Sequence, residues 1–94
     1  MDPTAASNGG VTITSPKSFA DVQNMIDKLR RGESIIVNLE GLESDSAQRI
    51  LDFLSGASYA IGGSMRRVRE MNSTFLVTPK GTGITDTDDN RFNR

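Results

Sequence analysis

Ser34-Ile35-Ile36-Val37-Asn38-Leu39 is the stretch on which the fold turns. Its β-branched and almost unbroken apolar character predicts a central strand covered on both faces, because a half-exposed strand would alternate apolar and polar residues. Beyond it, Asp45 and Gln48 form a helix-capping signal. Ala47, Ile50, Leu51 and Leu54 then fall on one stripe while Gln48, Arg49 and Asp52 face away, predicting a helix that ends near Gly56. Before the strand, Ser18 and Asp21 match a capping box, and Phe19, Val22, Met25, Ile26 and Leu29 recur at helical spacing. This predicts a first helix from about Phe19 to Arg31, with Gly32 as its left-handed stop and Arg30 and Arg31 at the negative end of its dipole.

Working outward, Val11-Thr12-Ile13-Thr14 alternates and stops at Ser15-Pro16, which predicts a short strand. From Ser58 the period changes to two. Tyr59 and Ile61 alternate with small residues, Gly62-Gly63 reads as a tight hairpin turn, and Met65 to Glu70 continues as a strand. A second reversal falls at Met71-Asn72-Ser73, and Thr74-Phe75-Leu76-Val77-Thr78 is a last strand closed by Pro79. The expected order is β-α-β-α-β-β-β, an α/β fold in the form of a compact two-layer sandwich. Its two helices pack on one face of a small mixed sheet, and the other face is left for a partner. Residues 1–10 are small and polar and Lys80 to Arg94 is rich in Gly, Asp, Asn and Thr, so 1–10 and 85–94 read as a disordered leader and tail around a core at 11–84.

Composition narrows the function. In 94 residues there is room for one small domain, which buries little surface and is expected to dimerise. The formal charge is −1, so the chain lacks the positive field that gathers nucleic acid. With no cysteine and no histidine, thiolate chemistry and the commonest general base and metal ligand are missing, and no enzyme, metal or cofactor is expected. No apolar run reaches the roughly 20 residues that span a bilayer. The expectation is a soluble, cytoplasmic protein.

Four features invite a functional reading beside a plain one. Glu40, Glu43, Asp45 and Asp52 could supply an acid and base pair, but without a nucleophile they read as capping and solvated carboxylates. Arg66, Arg67 and Arg69, with Arg49 and Lys80, are either a solvated strand face or a cationic rim that attracts an acidic peptide. Phe75 is either core or the aromatic anchor of a peptide groove. Gly56 is either the stop of the second helix or a point where another surface approaches closely.

Pro16-Lys17-Ser18-Phe19, Ile35-Ile36-Val37-Asn38-Leu39, Ala47-Gln48-Arg49-Ile50-Leu51-Asp52-Phe53-Leu54-Ser55-Gly56, Tyr59-Ala60 and Phe75-Leu76-Val77-Thr78-Pro79, in this order, resemble the motifs of the SepF family of cell-division adaptors. The resemblance runs from about Val11 to Ile84. It departs at Gly62, where the family usually has aspartate, and in a longer turn around Glu70 to Ser73. It implies a homodimer, capable of higher assemblies, that binds the carboxy-terminal tail of FtsZ and bundles its filaments at the division septum, on the inner face of the cell membrane. The family's membrane-binding amphipathic helix lies at the far amino end; it is missing here, and the chain reads as the isolated core. Carried over by motif, Phe75, Arg67, Leu54 and Tyr59 are the expected FtsZ-tail contacts, and Gly56 the expected self-assembly residue. The alternative is a small α/β nucleic-acid-binding or regulatory domain using the arginine strand, although single-strand binders need several exposed aromatics for base stacking.

Overall fold

Two side chains in the middle of the decisive stretch, Ile35 and Val37, have no exposed surface, and the rest of the molecule is arranged around them. The computed structural model describes residues 9–87. Strand β1 (Val11–Thr14) leads through a single 3-10 turn at Phe19–Asp21 into helix α1 (Val22–Arg30). Then come β2 (Ser34–Asn38), α2 (Ser44–Ala60), β3 (Ser64–Arg67) and β4 (Thr74–Thr78). The sheet order is β1-β2-β4-β3, with β1 parallel to β2 and the other neighbours antiparallel. Both helices lie on one face. Val22, Met25 and Leu29 from α1 and Ile50 and Leu54 from α2 close over Ile35, Val37 and Val77.

The opposite face is partly open. Ile36 is half-buried there, so β2 is interior in the sheet but fully covered on one side only. The register places Ile13, Ile36, Leu76 and Arg66 in one row across this face. Val11 and Ile13 remain 60% and 74% exposed at its β1 end.

The first helix starts and stops where its sequence signals lie. The Ser18 hydroxyl accepts from Ala20 N at 3.3 Å, and Asp21 Oδ2 accepts from Lys17 N at 2.7 Å and Ser18 N at 3.3 Å. At the other end Gly32 takes φ +89°, Gly32 N donates to Leu29 O, and Glu33 N donates to Lys28 O, a Schellman closure.

The second helix corrects the expectation at both ends. Glu43 is its N-cap residue and no side chain caps it; Asp45 sits inside the first turn and gains only from the dipole. The helix does not stop at Gly56. It continues to Ala60, so the strand expected at Tyr59–Ile61 does not form and the order is β-α-β-α-β-β. Gly62-Gly63 is not a hairpin turn but the same Schellman closure: Gly62 N donates to Tyr59 O at 3.1 Å, Gly63 N donates to Ser58 O at 2.8 Å, and Gly62 takes φ +79°. The extra turn keeps Ser58 on the buried stripe with Ile50 and Leu54. That packing outweighs the weak helix propensity of Gly56.

Ser58 carries a testable cost. Its Oγ is buried without a hydrogen-bond partner, so Ser58→Ala removes an orphaned hydroxyl and improves helix propensity. Urea unfolding should show a gain of about 1 kcal/mol; a loss would mean that the hydroxyl is satisfied.

The expected leader and tail fall largely outside the described residues. Of the leader, Gly9 and Gly10 extend the β1 edge, with Gly9 N donating to Gly32 O and Gly10 O accepting from Ser34 N. Of the tail, Asp86 meets Arg69 at 2.7 Å.

Candidate functional site

Arg67 and Phe75 face each other across the β3–β4 ladder. Both lie on the helix side of the sheet, in the register row of Val37. Phe75 is half-buried and packs against the core, while Arg67 is exposed on the outer strand. An apolar ring seated in the sheet beside a free guanidinium can hold an apolar side chain and orient a neighbouring carboxylate.

The other expected contacts lie elsewhere. Leu54 is fully buried and fastens α2 to the sheet, so it supports the site from behind and offers no surface to a ligand. Tyr59 belongs to α2 and is 88% exposed. The helix passes it just before turning into Ser64, which pairs with Thr78 at the far end of the ladder from Arg67 and Phe75. Tyr59 therefore joins Gly56 and Phe53 on the solvent stripe of α2, and not the Arg67–Phe75 pair.

That stripe has a structure of its own. The Arg49 guanidinium lies 4.3 Å from the centre of the Phe19 ring, and Phe53 meets Phe19 edge-on at 5.4 Å. A Cβ built on Gly56 meets nothing within 4 Å. An exposed glycine in mid-helix costs about 1 kcal/mol against alanine and is here neither a stop nor a tight intramolecular contact. Arg49 is thus committed to Phe19, and Lys80 lies beside Gly62, which leaves Arg66, Arg67 and Arg69 as the basic group on the β3 side.

These three arginines line a cleft of about 310 Å³ together with Val68 and Leu76; Leu76 and Arg66 belong to the open face of the sheet, opposite to the face that carries Phe75. Its wall also includes residues Ile84 to Thr87. Sequence reasoning missed this wall, because a segment rich in Gly, Thr and Asp has no apolar period. Base stacking is poorly served here: Phe75 is packed into the core and Tyr59 is on a helix, so among the described residues the arginine strand has no row of exposed rings. Among the described residues no cluster of His, Cys, Asp or Glu is suited to a metal ion, and no helix is long and apolar enough to cross a membrane.

The family model for cell division protein SepF matches residues 11–84. Cell division protein SepF from Desulfitobacterium hafniense is 45% identical over 74 residues, covering 79% of this chain and 48% of that protein. Its counterpart from Bacillus subtilis is 38% identical over 77 residues, 82% of this chain and 50% of that protein. The chain thus spans about half the length of the curated relatives it matches. Among solved structures, a SepF-like protein from Pyrococcus furiosus superposes with a TM-score of 0.73 at 23% identity, over 82% of this chain and 94% of that one. SepF from Methanobrevibacter smithii, solved in complex with FtsZ-CTD, has a TM-score of 0.64 at 17% identity, over 82% and 98%. At these identities the structural likeness establishes the shared fold.

Proposed function

This chain belongs to the SepF family of cell-division proteins, and we propose that it binds the carboxy-terminal tail of FtsZ through Phe75 and Arg67. The observation that carries the reading is the direct cross-strand pairing of Arg67 with Phe75 on the helix side of the sheet, an exposed guanidinium beside a half-buried ring. The solved complex of the Methanobrevibacter smithii relative with FtsZ-CTD supports the choice of partner. Phe75 receives an apolar side chain of the tail and Arg67 steers its acidic residues. Titration with the FtsZ tail peptide tests this; absence of binding at high micromolar peptide would remove it.

A filament adaptor must be at least bivalent, so the same proposal includes a homodimer that bundles FtsZ at the septal membrane. The row Ile13–Ile36–Leu76 on the open sheet face is the surface that supports it, since an apolar patch on a small domain is rarely left to water. Light scattering should give a dimeric mass in dilute solution. A monomer well above micromolar concentration would contradict the tether.

Gly56 belongs to a second contact. Its open surroundings, between Phe53 and Tyr59 on the exposed stripe of α2, let another helix approach closely. Gly56→Lys should abolish assembly beyond the dimer while leaving the circular dichroism spectrum and the dimer unchanged. Sedimentation of higher assemblies as in the unmodified protein would return Gly56 to an unexplained surface glycine.

A further inference from the structure

Strands β1 and β3 are the two edges of the sheet, and they are protected differently. The β3 edge carries Arg66 and Arg67, and charged side chains are a common means of keeping an edge from pairing with another chain. Val11-Thr12-Ile13-Thr14 has no charge and no proline, and its register with β2 runs without a bulge over all its residues. Gly10 O accepts from Ser34 N at 2.8 Å, which fixes the backbone alternation. In a parallel ladder every second residue bonds to the neighbouring strand, so Gly10, Thr12 and Thr14 turn towards β2 while the N–H and C=O groups of Val11 and Ile13 point outward. Among the described residues nothing pairs with those groups.

This outward edge is complementary to itself. We propose that β1 pairs antiparallel with β1 of a second copy about a twofold axis at Thr12, joining two four-stranded sheets into one. In that register Val11 faces Ile13 of the second copy and Ile13 faces its Val11. Both become hydrogen-bonded pairs, because these are the residues whose backbone groups point outward. Their side chains, 60% and 74% exposed in the single chain, become apolar β-branched neighbours across the new ladder. Thr12 meets Thr12 on the helix side, where a hollow of about 310 Å³ lined by Thr12, Thr14, Asn24 and Lys28 leaves room along the edge. Thr14 meets Gly10, which has no side chain to obstruct it. A slipped register is poorer: it sets Ile13 against Gly9, whose φ of +81° is not that of a strand, or Val11 against Ser15, beyond the end of β1.

The contact is separate from the open sheet face and from the Gly56 surface. It uses backbone groups at the sheet edge, where those use side chains of the sheet face and of α2. A ladder this short is weak by itself and holds at high concentration or beside another contact. A dimer formed through another surface carries two such edges, so pairing at β1 extends dimers into longer assemblies.

Amide exchange with water, followed by NMR on the full chain, tests this. The N–H groups of Thr12 and Thr14, bonded to β2, should exchange slowly at every protein concentration. Those of Val11 and Ile13 should exchange fast in dilute solution and at least about fivefold more slowly once mass action favours the pair. In a mixture of isotope-labelled and unlabelled chain, filtered NOEs should join Val11 of one copy to Ile13 of the other. Val11→Pro removes an outward N–H and leaves the ladder with β2 intact, so it should abolish the slowing at Ile13; Val11→Thr keeps the N–H and should retain it. The mass of a dimer formed through the open face should be the same in both variants, which separates the two contacts. Outward amides that stay fast at every concentration would overturn the proposal. So would amides that are slow at every concentration without intermolecular NOEs, since the chain would then cover its own edge, or slowing at Ile13 that survives in a folded Val11→Pro.

Discussion

Gly63→Ala should lower the unfolding free energy by at least about 3 kcal/mol and the midpoint of thermal unfolding by about 12 °C or more for a domain of this size. The cause is contact with the backbone. A Cβ at Gly63 would lie 2.2 Å from Thr78 O and 3.4 Å from Pro79 Cα. The obstructing atoms belong to β4, and Thr78 is fixed by its ladder partner Ser64 and by its hydroxyl bond to Thr82. No side chain can swing away, so either the end of β3 or the closure of α2 must shift. Gly83→Ala is the control, because nothing lies within 4 Å of its Cβ; it should be close to neutral. Equal stability of the two variants by differential scanning calorimetry would mean that the approach of the helix end to β4 is looser than described.

Phe75→Ala should cost at least about 2 kcal/mol of FtsZ-tail binding, roughly a thirtyfold loss, and the loss should persist at every ionic strength because it comes from an apolar contact. Arg67→Glu should behave differently. Arg67 is exposed, so its effect on the tail is largest at low salt and fades as the Debye length falls below about 8 Å. Phe75 also packs against the core, so circular dichroism and the melting curve of the variant must first show a folded domain. Phe75→Leu keeps most of the packing, should fold fully, and should still lose a measurable part of the binding. Wild-type affinity in both folded Phe75 variants would move the groove elsewhere.

The layering of the fold could be read from residues whose local and global preferences agree. Ser18 with Asp21, the Phe19 to Leu29 stripe and Gly32 all specify one helix with defined ends, and each contact is formed. Ile35 and Val37 mark the sheet interior for the same reason. Residues 56–63 depart from the expectation because their local signals conflict. Gly56 is a poor helix former, Tyr59-Ala60-Ile61 fits either period, and a glycine pair closes a hairpin or a helix equally well. Burial of Ser58 beneath the last turn of α2 decides the matter, and that is a tertiary effect.

The site follows the same division. Arg67 and Phe75 could be paired in advance because β3 and β4 are consecutive and antiparallel, and the longer turn is absorbed by Val68 N donating to Thr74 O and by Glu70 at φ +69°. Tyr59 lies on the exposed side of α2, away from the Arg67–Phe75 pair, because the helix continues past Gly56. The contact of Arg69 with Asp86 joins residues 17 positions apart through a segment without apolar period, and no local rule reveals it.

The most direct measurement is an NMR titration of the domain with the FtsZ carboxy-terminal peptide, mapping amide shifts on the assigned spectrum. The largest changes should cluster at Arg67, Phe75 and their ladder neighbours, with none on the Phe53–Gly56 stripe of α2. Shifts centred on that stripe, or a spectrum unchanged at saturating peptide, would contradict the assignment of the tail to the arginine strand.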